Sequence, residues 1–202
     1  MKFSIKHTIR WSSAIAVITL VLAAIFSILS SFILSGVTVA TGMLVVFIIV
    51  WIGVVFDTIG LAAAAADEIP FHSMASEKVI GAKQAISICR NADRFSSFCN
   101  DVIGDISGIV SGTASTIVVL ELVAELGYAQ HATLQTFVAV LFTSVVAAMT
   151  VGGKAFGKTV AINYSTHIIL FVGKVFYHLD QKFHIKIFNG KPKKNKKKNH
   201  DK

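Results

Sequence analysis

Four apolar runs, each about long enough to cross a lipid bilayer, limit what this chain can fold into. They cover about residues 12–34, 38–66, 95–120 and 133–151. A hydrocarbon core needs about 20 mostly apolar residues per helix. Inside it, each backbone N–H and C=O needs a partner within the protein, and a helix supplies that segment by segment. The first run follows MKFSIKHTIR, which has the look of the basic start of a secretory leader. Its apolar stretch exceeds the roughly 7–15 residues of a leader, and a second run follows at once. It therefore reads as a retained span.

The basic residues divide the chain consistently. Of 19 Lys and Arg, three precede the first run, four lie between the second and third, and twelve follow the fourth. The two other connections, near residues 35–42 and 121–131, contain none. By the positive-inside tendency both termini lie in the cytoplasm, as expected of a multi-pass protein of the plasma membrane. Only 15% of residues are charged and mean hydropathy is +0.70, too apolar to cover a soluble globule. The net charge of +8 falls in blocks beside apolar runs, so it marks membrane topology rather than a nucleic-acid face. Cys89 and Cys99 are too few for a disulfide framework and lack metal-site spacing, so they read as reduced thiols.

The fold expected is an all-α integral membrane protein. It has about four transmembrane helices, a juxtamembrane amphipathic helix and a C-terminal interfacial helix. Residues 1–11 form a cytoplasmic N-terminus and 12–159 the membrane domain. Near residues 69–91, Pro70 suits a helix start, and Met74, Val79, Ala82, Ile86 and Cys89 share one face, so an amphipathic helix is predicted there. Residues 160–188 read as a second interfacial helix. Residues 189–202 read as a disordered Lys-rich tail, suited to anionic lipid headgroups.

Charges inside a span cost about 2.5–3.5 kcal/mol each on insertion scales. Asp57 lies late in the second run, and Asp101 and Asp105 lie early in the third. Those two runs cross in opposite directions, which puts all three carboxylates toward the cytoplasmic half. Thr58, Asn100, Ser107 and Ser111 add neutral oxygens. Hard cations such as Mg²⁺ prefer carboxylate, amide and carbonyl oxygen, so a cation site between the second and third spans is one reading. The other is helix packing, with Asp57 reaching interfacial water and Asp101 capping a helix. Asp101 and Asp105, at i and i+4, repel when both are ionised, and a cation or shared proton relieves them.

Gly104, Gly108 and Gly112 share a helical stripe that allows close approach of another helix, from this chain or a second copy. Residues 152–159, GGKAFGKT, match a phosphate-loop pattern literally. They follow an apolar run rather than a strand, so the preferred reading is a cytoplasmic helix break with Lys154 and Lys158 at the headgroups. His167, His178 and His184 are too widely spaced for a ligand pair and suit the wet face of an interfacial helix. No nucleophile–base arrangement rises above chance, which speaks against an enzyme.

From about Val54 to Ile169, the order of elements resembles the transmembrane domain of the cyclin-M (CNNM)/CorB-type magnesium and cobalt transporters. FHSMASEKVIGAK is similar to that family's juxtamembrane pattern, with Met74–Ala75 and Ala82–Lys83 in register. NADRF at Asn91–Phe95 resembles its turn before the next span, and TVGGKAFG resembles its closing element, with Lys154 in the lysine position. DTIG at Asp57–Gly60 stands where the family carries a serine-glycine-serine-glutamate-like motif. The resemblance implies an intramembrane Mg²⁺ site, with Asp57, Thr58, Asn100, Asp101, Asp105 and Thr150 as counterparts of the family's ligands. The function expected is transport of a Mg²⁺- or Co²⁺-like divalent cation by a homodimer. No organic cofactor or nucleic acid is expected. The alternative is a non-transporting membrane scaffold or regulator whose aspartates and glycines serve helix packing.

Overall fold

The computed structural model describes residues 5–34, 36–127 and 132–183, and every regular element among them is helical. Four helical stretches are long and apolar enough to cross a membrane: residues 12–34, 39–65, 92–125 and 132–163. The first belongs to α1 (Ile5–Leu34) and the second is α2 (Val39–Ala65). The third comprises α5 (Ala92–Ser97), a π-helical segment (Phe98–Gly104) and α6 (Asp105–Glu125). The fourth is α7 (Ala132–Asn163).

Helix α2 is the central strut, flanked by α6 and α7, while α1 packs on the far side of α6. Its buried residues recur at three- and four-residue steps (Val39, Gly42, Val46, Val50, Gly53), so one stripe faces its neighbours. Lipid tails are as apolar as Leu, so close packing rather than hydrophobic transfer holds such helices together. Glycines in α2 provide it. A methyl group at Gly42 would lie 2.6 Å from Val118 Cγ2, and one at Gly53 would lie 2.8 Å from Ser107 Cβ. At Gly60 it would collide with the Asn100 side chain. Eleven and then seven residues forward along α2 match eleven and seven back along the third span, an antiparallel register. Against α7 the register is parallel: Gly153 abuts Val54 and Gly157 abuts Thr58. Val102, Ile106 and Val110 of the third span form a small core with Ile15, Leu22 and Ala23 of α1 and Ile49 of α2.

The predicted amphipathic helix is divided into α3 (Ile69–Ser76) and α4 (Ala82–Arg90). Pro70 stands in the first turn of α3, as expected. The chain turns between them through Lys78 (φ 59°) and Gly81 (φ 88°). The cause is tertiary: α8 (Ser165–Phe183) lies against this turn, with Gly173 packed on the Gly81 carbonyl and 3.1 Å from Ala85 N in the sense of an added methyl. Of the face expected on this segment, Ala82 is buried and Met74, Val79, Ile86 and Cys89 are half-buried. Phe71, Ala85 and Ile88 join Ala62, Ala161 and Ile169 in a shared core, and Met74, Ile86 and Cys89 pack on it. Phe95 meets Phe176 edge-on at 6.1 Å, tying α5 to α8.

Two boundaries differ from expectation. Residues 152–159 do not break the helix, because α7 runs unbroken to Asn163 and turns only at Tyr164. Gly153 and Gly157 are used for contact with α2 and stay helical. The C-terminal helix begins at Ser165 rather than at 160 and is described to Phe183; residues 184–202, with His184, the expected helix end at 188 and the Lys-rich tail, lie outside the described residues.

Candidate functional site

The polar residues of α2 and its neighbours meet where α2, α7 and the π segment come together. Asp57 follows Gly53 by four residues and precedes Gly60 by three, which places it on the packed stripe of α2. Its carboxylate lies 3.7 Å from Lys154 Nζ of α7, with the Asp57 side chain 15% and the Lys154 side chain 30% exposed. At that separation the pair attracts coulombically without a short hydrogen bond. Both groups border Gly104: a methyl there would stand 3.8 Å from Asp57 Oδ1 and from Lys154 Nζ.

The π segment supplies the third side. A π turn holds an extra residue per turn and re-phases the side chains that follow, a device frequent at functional sites. Here Asn100 turns inward against Gly60, and its buried Oδ1 has no hydrogen-bond partner. Asp101 and Asp105 are exposed. Thr58 donates to the Val54 carbonyl at 2.8 Å and contacts Gly157. Thr150 donates to the Val146 carbonyl at 2.8 Å. Each hydroxyl thus satisfies its proton within its own helix and keeps oxygen lone pairs for another partner.

Of the six residues expected to hold a cation, Asp57 faces Lys154 of α7, Thr58 packs on Gly157 of α7, and Asn100 packs on Gly60 of α2. Thr150 lies one turn before Lys154 on α7. Asp101 and Asp105 project from the outer side of their segment. Among the described residues, no three His, Cys, Asp or Glu side chains come together in a way that could hold a metal ion. The group that faces the Asp57 carboxylate is instead an ammonium, that of Lys154.

The glycine ladder has a different role from close packing inside this chain. Gly104 is buried at the junction, but Gly108 and Gly112 have no other helix within 4 Å of an added methyl. They line an open groove of about 250 Å³ between α6 and α7, with Ser111, Ser115, Thr143 and Thr150. Two features escaped the sequence reading. One is the glycine stripe of α2, whose spacing of eleven and seven residues hides it from a four-residue pattern. The other is the Asp57–Lys154 pair, whose signal is two opposite charges at matching depth in two spans.

Outside the four long apolar helices, Glu68 joins α3 to α4. It accepts from Arg90 Nε at 2.6 Å and lies 2.8 Å from His72 Nε2. Desolvation pulls the Glu68 pKa up, but the hydrogen bonds and fields of Arg90 and His72 outweigh it and hold the carboxyl below its ordinary range. Burial, and then the charges of Glu68 and Asp67, push the Cys89 thiol up, so it stays protonated and unreactive. Cys89 and Cys99 are both free thiols.

Set against family models, curated proteins and solved structures, the chain matches none of them.

Proposed function

We propose that this chain is a multi-pass membrane protein of cyclin-M/CorB type that handles a Mg²⁺-like divalent cation at the Asp57 junction. The observation that carries this reading is a mostly buried carboxylate, Asp57, with a lysine ammonium at 3.7 Å, and, one turn further along α2 at Gly60, the buried amide oxygen of Asn100 without a partner. A carboxylate and an amide oxygen are the donors a hard cation prefers, with waters completing its shell. Lys154 then serves as a tethered positive charge that an arriving cation displaces, and it returns when the ion leaves. Asp101 and Asp105, exposed on the same segment, raise the local cation concentration at the approach. Alternating exposure of the junction to each side would make this transport. The reading includes the plasma membrane, cytoplasmic termini, a homodimer, and anionic lipid at the Lys-rich tail.

A second reading, a scaffold or regulator, is favoured by one specific feature: Lys154 already neutralises Asp57, and the hydroxyls are satisfied within their own helices. Thermal unfolding of the purified full chain with Mg²⁺, Mn²⁺ or Co²⁺ separates the two. Cation handling predicts stabilisation that is lost in Asp57→Asn, weakened in Asp101→Asn with Asp105→Asn, and strengthened in Lys154→Met. No cation response in wild type or Lys154→Met leaves the scaffold reading.

A further inference from the structure

Helix α8 presents two apolar surfaces, and the protein covers one of them. Ile169, Val172, Gly173 and Phe176 face α2, α4 and α5. On the other side Phe171, Val175 and Leu179 recur every four residues, and all three are exposed. That spacing lines them up as one stripe along the helix. Each has a basic residue three positions on: Lys174, His178 and Lys182, all exposed. Residues three apart are neighbours on a helix, so these groups border the stripe along its whole length. The carboxylate of α8, Asp180, belongs to the packed side, four residues after Phe176, and its Oδ1 is buried.

Two neighbouring segments extend the same surface. Phe156 and Ile162 of α7 and Tyr164 at the turn are exposed, so apolar side chains continue from the outside of α7 into α8. Tyrosine is a residue type found at headgroup level. The α3–α4 turn lies against α8, with Gly81 packed on the backbone of Gly173 and Lys174. Lys78 and Ile80 of that turn are exposed, as is Lys83 at the start of α4. Glu77, also exposed, offsets one of these charges. The lysines outnumber it.

We propose that α8, together with the α3–α4 turn, is a docking surface for an anionic leaflet of the bilayer. Phe171, Val175 and Leu179 enter the acyl region, while Lys174 and Lys182 meet headgroup phosphates. Charge complementarity names this occupant: an apolar stripe bordered by Lys binds anionic lipid through burial and attraction together. The exposed apolar side chains leading in from α7 favour lipid over a separate partner protein. A second copy fits less well, because a two-fold contact on this stripe would set the bordering lysines of both copies against each other. The surface requires neither the Asp57 cation reading nor the Lys-rich tail.

The test uses the full chain with Cys89→Ala and Cys99→Ala, in nanodiscs of phosphatidylglycerol or phosphatidylcholine with identical acyl chains. Spin labels are attached at Phe171→Cys, Val175→Cys and Leu179→Cys, with Gln181→Cys on the polar side as reference. Collisions with oxygen report hydrocarbon, and collisions with an uncharged nickel chelate report water. In phosphatidylglycerol the first three labels are expected to meet oxygen and be shielded from nickel, while the reference meets nickel. In phosphatidylcholine the shielding of those three is expected to fall. Lys174→Gln with Lys182→Gln is expected to erase the difference between the lipids. Nickel reaching all four labels alike in phosphatidylglycerol overturns the proposal, and so does shielding of the three from both reagents, which marks a protein partner. Equal shielding in the two lipids, or a difference untouched by the double lysine variant, overturns it as well.

Discussion

Asp57 and Lys154 face each other at 3.7 Å across the parallel contact of α2 with α7, on the same level as Gly104 of the third span. Neither group is fully buried, so the pair lies between the exposed and the buried extremes. Removing one partner from a fully buried pair costs about 3–5 kcal/mol, because a charge is left uncompensated. For this partly exposed pair, Lys154→Met should cost about 1–3 kcal/mol in metal-free buffer. Asp57→Asn with Lys154→Met should recover most of that loss. A double-mutant cycle on detergent-unfolding free energies reads the coupling.

The glycines of α2 and those of α6 should respond in opposite ways. Gly53→Ala and Gly60→Ala force a methyl against Ser107 and Asn100, and overpacking of this kind costs about 1–3 kcal/mol. Gly108→Ala and Gly112→Ala meet open space, and the better helix propensity of Ala is worth up to about 1 kcal/mol. Thermal unfolding of the four variants checks the contrast. Analytical ultracentrifugation of the last two adds a second readout: a shift to monomer identifies the α6–α7 groove as the seat of a second copy.

At the crossing of α4 and α8, Gly81→Ala should be worse than Gly173→Ala. Both place a methyl against backbone, but Gly81 also has φ +88°, a conformation that strains any residue with a Cβ. The expected result is a lowered unfolding temperature for Gly173→Ala and a protein that largely fails to accumulate for Gly81→Ala. Yield and melting temperature in one detergent measure this.

The four long apolar helices were legible because runs of about 20 mostly apolar residues suit a helix that can cross a bilayer. Residues 12–34 agree at both ends, and Val39–Ala65 is within a residue of expectation. The division of α3 from α4 was not legible. It depends on α8 pressing Gly173 against Gly81, a contact between segments far apart in sequence. The same holds for α7: Gly152, Gly153 and Gly157 read locally as helix breakers, while α2 makes two of them packing positions. Of the six polar residues expected together, Asp57, Thr58 and Asn100 turn toward helix contacts, while Asp101 and Asp105 are exposed. Which of the aspartates turn inward depends on the π segment, whose extra residue per turn no periodic pattern announces.

Acidification should loosen the link between α3 and α4. The Glu68 pKa is held below its ordinary value of 4.5, so its contribution to stability is fully present above that pH. The contribution falls as pH drops through the lower folded-state value, since the unfolded chain binds the proton first. Amide hydrogen exchange of residues 69–90 at pH 6 and pH 4 should show faster opening at pH 4. In Glu68→Gln the exchange should be fast at pH 6 already and change little with acid.

Electron paramagnetic resonance titration with Mn²⁺, in place of Mg²⁺, tests the Asp57 junction most directly. Free Mn²⁺ gives a sharp signal that is lost on binding, so the protein-bound fraction is read without assuming transport. A cation site at Asp57 gives saturable binding by the wild-type chain, tighter binding by Lys154→Met, and loss of that site in Asp57→Asn with the helical fold intact. Mn²⁺ binding unchanged in a folded Asp57→Asn protein, or no binding even in Lys154→Met, would contradict it.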